Sequence, residues 1–485
     1  MALSTTTRPS LKLLPRGAGG IAFTEFWERF SFYGLQAVLF YYLIFSLADG
    51  GLELDAAVAA SLVGGYAGLV YFAQIGGGWL GDRVLAPQWA VLAGGIGIFA
   101  GHIVLAAVPE LTGLTIGLGL IVLGTGALKT NITSLFGFTL DEHGTASRDS
   151  SFSYFYVAIN LGAVVGPLLT GWLQSDGGFH WAFGAAAVGM GAALAIYVAN
   201  LRKLPERARV IANQLSRSQG FVALAGGTTL VVLIAAAIWA QWITFENLSL
   251  VTSGLAAAAA VAYFVAIFGS RLHSRVEKRR VAGFLPLFIA ACVYYAIAYQ
   301  AYTAVSTLIA TELDLQIFGW AFPIGWVLAF AAFLPILAGP VIAEIWKRQG
   351  DRQATAPVKF ATALAIVGLV YLLLTGTAQV IGSWQIPLLL FMLLIGVAFI
   401  SDVFLGPVAL SLATEVGPSR APGQLVALNF LSLAIGSAFS GVLGGLYLEL
   451  GASLYFAAIG GVACACAAAL LAGRRPIVHL LRTAR

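Results

Sequence analysis

Glu25, Glu28 and Arg29 crowd into the apolar, aromatic stretch TEFWERFSFYG at residues 24–34. On a helix, Glu25 and Arg29 share a face at i,i+4, and Glu28 lies three residues from Glu25, so the three line one broad sector. Tyr33 follows one turn later, and Gln36 three residues beyond it extends the polar stripe. Charges in an apolar span are costly and normally face a cavity or a partner. Two carboxylates beside one guanidinium leave excess negative charge. Each acid raises the other's proton affinity while the Arg lowers it. Such a set could load and release a proton near neutral pH. The alternative is a static ion network, with both acids near an interface and snorkelling to it. Snorkelling suits Arg better than the short Glu.

Two more charges stand alone in apolar surroundings, Lys129 in GTGALKTNITSLFG and Asp402 in GVAFISDVFLGPVAL. One lies in each half of the chain. They invite a salt bridge that closes one conformation and opens in another, or a fixed neutralising pair; a buried pair is weak evidence for stability either way. In SYFYVAINLG, Tyr156 and Asn160 share a face at i,i+4, and the Asn amide wants a partner. Tyr66 is a further polar candidate, although a lone Tyr in such a segment is usually packing. His102 and Gln300 are ambiguous, with a satisfied local hydrogen bond as the plain reading. GTGALKTN lacks the phosphate-loop pattern. No catalytic triad, metal cluster or nucleotide fingerprint stands out, which argues against an ATP-driven pump and most enzyme classes. Cys292, Cys464 and Cys466 all lie in apolar segments, so neither a disulfide framework nor a zinc site is expected.

These residues must be positioned by membrane helices. Of 485 residues, 60% are hydrophobic and 10% charged, and mean hydropathy is +0.91. Soluble domains carry about a quarter charged residues. Apolar segments long enough to cross a bilayer follow one another, without strongly alternating strands, so the chain is an all-α polytopic membrane protein. Fourteen helices are expected, at 19–48, 57–80, 88–108, 112–139, 150–173, 179–200, 221–244, 249–269, 281–309, 317–346, 357–376, 384–413, 423–447 and 451–472. Residues 1–16 are short and polar, with no clear cleavage site, so the first apolar segment reads as a membrane helix rather than a signal.

Charge placement supports the list. One set of connections holds Asp82–Arg83, Arg148, RKLPERAR from Arg202, RLHSRVEKRR from Arg271, KRQGDRQ from Lys347, Arg420 and the basic tail. The other holds Asp49, Glu53, Asp55, Glu110, Asp176, Glu246, Glu312, Asp314 and Glu449, without Lys or Arg. This positive-inside pattern puts both termini in the cytoplasm and requires an even number of crossings. It also explains the net charge of +5 without nucleic acid. RVEKRR is amphipathic enough for a short helix at the inner interface. The expected organisation is a six-helix bundle (1–200), a basic linker with an inserted two-helix hairpin (201–280), and a second six-helix bundle with the tail (281–485). Two such halves suit a rocking-bundle transporter. Frequent glycine is read first as close helix packing, with bending at a gate as a second use.

The motifs carry a family resemblance. EFWERFSFYG resembles the first-helix ExxER signature of the proton-dependent oligopeptide transporters, within the major facilitator superfamily. GGGWLGDR resembles the loop motif after the second helix, GTGALKTN the lysine-bearing fourth-helix segment, and FYVAINLG the fifth-helix FYxxINxG signature. The inserted hairpin is similar to that of bacterial members. The resemblance implies a major facilitator fold and proton-coupled uptake of di- and tripeptides by alternating access, with protons as the coupling ion and no other cofactor. It implies proton coupling at Glu25, Glu28, Arg29 and Asp402, and a Lys129–Asp402 bridge between bundles. Substrate contacts would come from Arg29, Tyr33, Tyr66, Lys129, Tyr156, Asn160, Gln300 and Asn429. A monomer in a bacterial inner membrane is the family expectation.

Departures fall in the cavity. Phe32 and Gln36 stand where tyrosine and arginine are usual, Asp402 where glutamate is usual, and Asn429 where tryptophan is common. Tyr299 precedes Gln300 where an acid is usual, so both charges of an outer gate pair are missing. The eighth helix lacks the usual Asn-Pro step. A non-peptide small metabolite, or a transport-deficient homologue acting as a membrane binding protein, are the alternative readings.

Overall fold

The computed structural model describes residues 17–140, 145–418 and 423–482. Arg420 and the end of the basic tail lie outside the described residues. The first six long helices are α1 (Ala18–Ile44), α2 (Ala56–Arg83), α3 (Pro87–Ala107), α4 (Glu110–Phe138), α5 (Thr145–Gly177) and α6 (Phe179–Asn200). α7 (Arg217–Trp239) and α8 (Leu248–Gly269) form the inserted hairpin. The rest is α9 (Arg275–Ala298), α10 (Ala304–Thr311), α11 (Ile324–Gln349), α12 (Ala356–Ile381), α13 (Leu388–Ile400), α14 (Asp402–Val416), α15 (Gly423–Leu450), α16 (Ala452–Ala472) and α17 (Arg474–Arg482).

Among the described residues, 13 spans are long and apolar enough to cross a membrane. Two of them join α9 with α10 and α13 with α14. α1 is not in that set, because its polar cluster dilutes its hydropathy, yet its 27 residues reach about 40 Å. It makes the fourteenth crossing. The chain is therefore an integral membrane protein with the fourteen-helix arrangement expected of a major facilitator fold with an insertion.

Helices α1–α6 pack on one another, as do α9–α16. α8 lies against α2 and α15 through a face of small residues (Ser249, Thr252, Ser253, Ala256 and Ala260). α7 has no buried residue, so its whole surface is left to lipid. Close approach inside a bundle needs missing side chains: a Cβ on Gly94 would sit 2.6 Å from the backbone nitrogen of Leu128. Without a hydrophobic difference between lipid and side chain, such backbone proximity is what holds membrane helices together.

Three expected spans are corrected. The span placed at 281–309 starts at Arg275 and is interrupted by a 3₁₀ turn at Tyr299–Tyr302. RVEKRR is not a separate surface helix. Ser274 and Glu277 form a capping box that begins α9 there, so these residues are its first turns. The span placed at 384–413 is interrupted at Ser401, whose hydroxyl hydrogen-bonds the Ala398 carbonyl and the Tyr294 hydroxyl. Pro407 supplies no N–H to the first turns of α14, weakening the ladder just after the interruption. The span placed from 317 starts only at Ile324. Residues Gln316–Ile317 and Trp320–Ala321 form a two-stranded hairpin instead, with Phe318 (φ 51°) and Gly319 (φ 82°) both left-handed at its turn. Interrupted helices near mid-membrane put free backbone ends and polar side chains at a cavity. Tyr299 and Asp402 sit at the two interruptions.

Candidate functional site

The polar stripe of α1 faces into its bundle. Glu25 and Glu28 are 0% and 1% exposed, which removes the snorkelling reading. Arg29 donates from Nε and Nη2 to the two oxygens of Glu28, both at 2.6 Å, as a planar fork. The same Nε is 3.8 Å from Glu25 Oε1. That Glu25 oxygen also accepts from Lys129 Nζ on α4. Glu25 Oε2 has no partner.

Two sequence expectations change here. The α1 cluster has no excess negative charge, because α4 delivers Lys129 and makes an alternating set, Lys129–Glu25–Arg29–Glu28. Two cations balance two anions, which lowers the cost of holding charge in the membrane. The expected Lys129–Asp402 bridge is not made in this conformation. Lys129 is engaged with Glu25, while Asp402 is exposed at the start of α14 and has no ion pair among the described residues. Its carboxylate lies back along its own helix, 3.2 Å from where a Cβ of Gly406 would be. Asp402 on α14 and the partly exposed Lys129 on α4 belong to helices that do not pack closely on each other.

The remaining candidates divide. Tyr33 packs on Phe32, and the Arg29 guanidinium lies 5.7 Å from the Tyr33 ring centre and 4.9 Å from that of Phe32. Asn160 is half-buried and donates to the Tyr156 carbonyl one turn back, while Tyr156 is exposed. Tyr66 is buried with an unpartnered hydroxyl. Asn429 is buried on α15. Gln300 is not brought to the cavity. It is 0% exposed, its amide donates to the Ala296 and Ser440 carbonyls, and its Oε1 accepts from Thr303 and Tyr455. Its four hydrogen-bonding positions are filled, so it ties α15 and α16 to the 3₁₀ turn.

The contacts between bundles lie toward the end opposite the termini. A Cβ on Gly64 of α2 would sit 2.6 Å from the nitrogen of Gly441 on α15, so backbone meets backbone there. Gly325 approaches Gly171 in the same way, and Trp326 Nε1 donates 2.7 Å to the Leu168 carbonyl. Nearer the middle, the Tyr71 and Tyr299 hydroxyls hydrogen-bond across the bundles at 2.5 Å. None of these contacts uses a charge. Gln36, where the missing gate charge would stand, is buried with both amide atoms unpartnered. At the end carrying the termini, Tyr154, Tyr156 and Leu161 of α5 and Leu410 of α14 are exposed. The bundles meet at the end opposite the termini, and α4 and α14 do not pack closely on each other. Tyr71 was not singled out from the sequence. It is one more aromatic in a helix, and its partner is 228 residues away.

Known proteins share this fold along nearly the whole chain. The chain is 32% identical over 449 residues to the uncharacterized transporter YclF of Bacillus subtilis, covering 92% of this chain and 91% of that one. It is 32% identical over 493 residues to a di-/tripeptide transporter of Lactococcus lactis subsp. cremoris, covering 97% of each. A crystal structure of the peptide transporter POT in complex with sulfate superposes with a TM-score of 0.91 at 35% identity, over 96% of each chain. The sequence pattern of the POT family matches residues 88–459, so the chain belongs to the POT family.

Proposed function

We propose that this protein is a proton-coupled symporter that imports di- and tripeptides by alternating access. The observation that carries the reading is the membrane-buried set Lys129–Glu25–Arg29–Glu28, placed beside a cavity closed at one end. Both termini are cytoplasmic in this reading, by the distribution of Lys and Arg. The closed end then faces outward and the conformation is inward-open. A bacterial inner membrane is the natural location, and a monomer suffices because both bundles are in one chain.

The geometry suggests how a proton and a peptide are linked. Protonating Glu25 removes one of four balanced charges and frees Lys129. The ammonium then turns to a peptide carboxylate or to Asp402 on the opposite bundle. Either choice draws the bundles together around the occupied cavity. When the peptide leaves, Lys129 returns to Glu25 as the proton departs. Lys129 is 20% exposed, so it has access to the cavity from its present position. The membrane potential adds about 2.3 kcal/mol per charge at 100 mV. Asn160, whose amide nitrogen donates to the Tyr156 carbonyl, would meet peptide backbone groups through its Oδ1.

Proteoliposomes with an inward proton gradient are expected to accumulate labelled dialanine. Absence of uptake across a broad panel of di- and tripeptides would overturn the reading. Uptake of organic acids or modified amino acids in their place would favour the non-peptide alternative, which the uncharged Tyr71–Tyr299 contact in the cavity supports.

A further inference from the structure

We propose that the groove between α17 and the start of α12 is a binding site for the phosphate of an anionic lipid headgroup. The groove has a volume of about 580 Å³. One wall is the polar face of α17, with Arg474, Arg475, His479 and Arg482. The other is the approach to α12, with Gln353 and Thr355. No lining residue is acidic, and among the described residues none of the three guanidinium groups has a carboxylate partner. Cations gathered around one concave space without counter-charge repel one another. An occupant with negative oxygens relieves that repulsion.

The elements explain why the occupant is a lipid. α17 turns its apolar side to the protein. Ile477 is buried, and a Cβ on Gly283 of α9 would sit 2.9 Å from Leu480 and 3.1 Å from Leu481. Its basic side is therefore forced outward at the membrane-proximal end of the bundle, immediately after the last crossing. Basic groups at that level meet anionic headgroups. Thr355 begins α12 without a side-chain cap, leaving the positive end of a 26-residue helix toward the groove. Lys359 adds a further cation one contact away, donating to Gln353 Oε1 at 3.1 Å while its ammonium lies 3.8 Å from the Trp346 ring centre. A bound phosphate would thus join α17 to α12 and set the end of the second bundle at the headgroup plane. The inference does not depend on which substrate is transported.

The test uses the full chain in nanodiscs of phosphatidylcholine with or without phosphatidylglycerol, read by thermal melting and by lipid retained in native mass spectrometry. The wild type is expected to retain phosphatidylglycerol and melt higher with it. Arg474→Gln, Arg475→Gln and Arg482→Gln together are expected to weaken retention on the order of a hundredfold. Arg271→Gln with Lys278→Gln, neither of which lines the groove, is expected to leave retention unchanged. Equal retention by wild type and triple variant, or an equal loss in the control pair, overturns the site. If inorganic phosphate in neutral nanodiscs reproduces the whole stabilisation, the lipid source is overturned as well.

Discussion

Lys129 Nζ donates to Glu25, an acid 104 residues earlier in the same bundle, while Asp402 of the other bundle makes no ion pair among the described residues. In the proposed cycle the same lysine serves as counter-ion within one bundle in one conformation and across the bundles in another. A bistable charge of this kind gives a proton a way to alter bundle closure without a large local movement.

Glu25→Gln removes the negative charge that holds Lys129. Gradient-driven uptake is expected to be lost while peptide exchange without a gradient persists, because binding groups remain and the proton site is gone. Lys129→Ala is expected to abolish gradient-driven uptake as well and to leave Glu25 buried without its cation. Loss of one partner of a buried pair costs about 3–5 kcal/mol. Counterflow and gradient-driven assays on the same proteoliposomes separate the two variants. Full gradient-driven accumulation by Glu25→Gln would place the coupling proton elsewhere.

Asp402→Asn is expected to behave differently. The carboxylate is exposed and makes no ion pair among the described residues in this conformation, so its loss should change stability by no more than about 0.5 kcal/mol. Transport should nevertheless fall, since the charge proposed to receive Lys129 across the bundles is gone. Melting in detergent beside uptake checks this. A large drop in melting temperature with normal uptake would reverse the assignment.

Tyr71→Phe and Tyr299→Phe each remove one end of the neutral contact across the bundles. Each is expected to cost about 1 kcal/mol of the closed outer end, and the double variant no more than either single one. Spin-label distances across that end report the populations. Additive effects would show that the two hydroxyls act separately.

Gly64→Leu places a side chain where backbone nitrogen of Gly441 now lies. It is expected to hold the outer end open and stop transport while leaving the bundles folded. Thiol labelling of a cysteine introduced near the outer end should rise. Unchanged labelling with normal transport would mean that closure does not use this backbone contact.

Gln36→Leu is expected to stabilise the protein by about 1–3 kcal/mol, because both amide atoms are buried without partners. Thermal melting checks this directly. A lower melting temperature would indicate that the amide has a partner in the folded protein, such as ordered water.

How far the sequence carried can be traced through particular residues. The fourteen crossings were legible because twenty-residue apolar runs have few alternatives in a bilayer. The Glu25–Arg29 face and the Tyr156–Asn160 pair were legible because both are spacings within one helix, and helical geometry is local. The interruptions at Tyr299–Tyr302 and Ser401 were not, since apolar runs continue through both and only side-chain hydrogen bonds such as Tyr294–Ser401 make them tolerable.

Tertiary structure alone decided which cation neutralises Glu25, where Gln300 packs, and what joins the bundles at the end opposite the termini. Each depends on which helices meet, and composition does not encode that. Lys129 meets Glu25 because α4 packs near α1, while α14 does not pack closely on α4. Gln300 was consumed by carbonyls of its own turn and of α15. Loss of the two gate charges in sequence left a question that only packing answers: glycine backbones and a tyrosine pair form the contact, because small uncharged groups let two helices touch without any cost of burying charge.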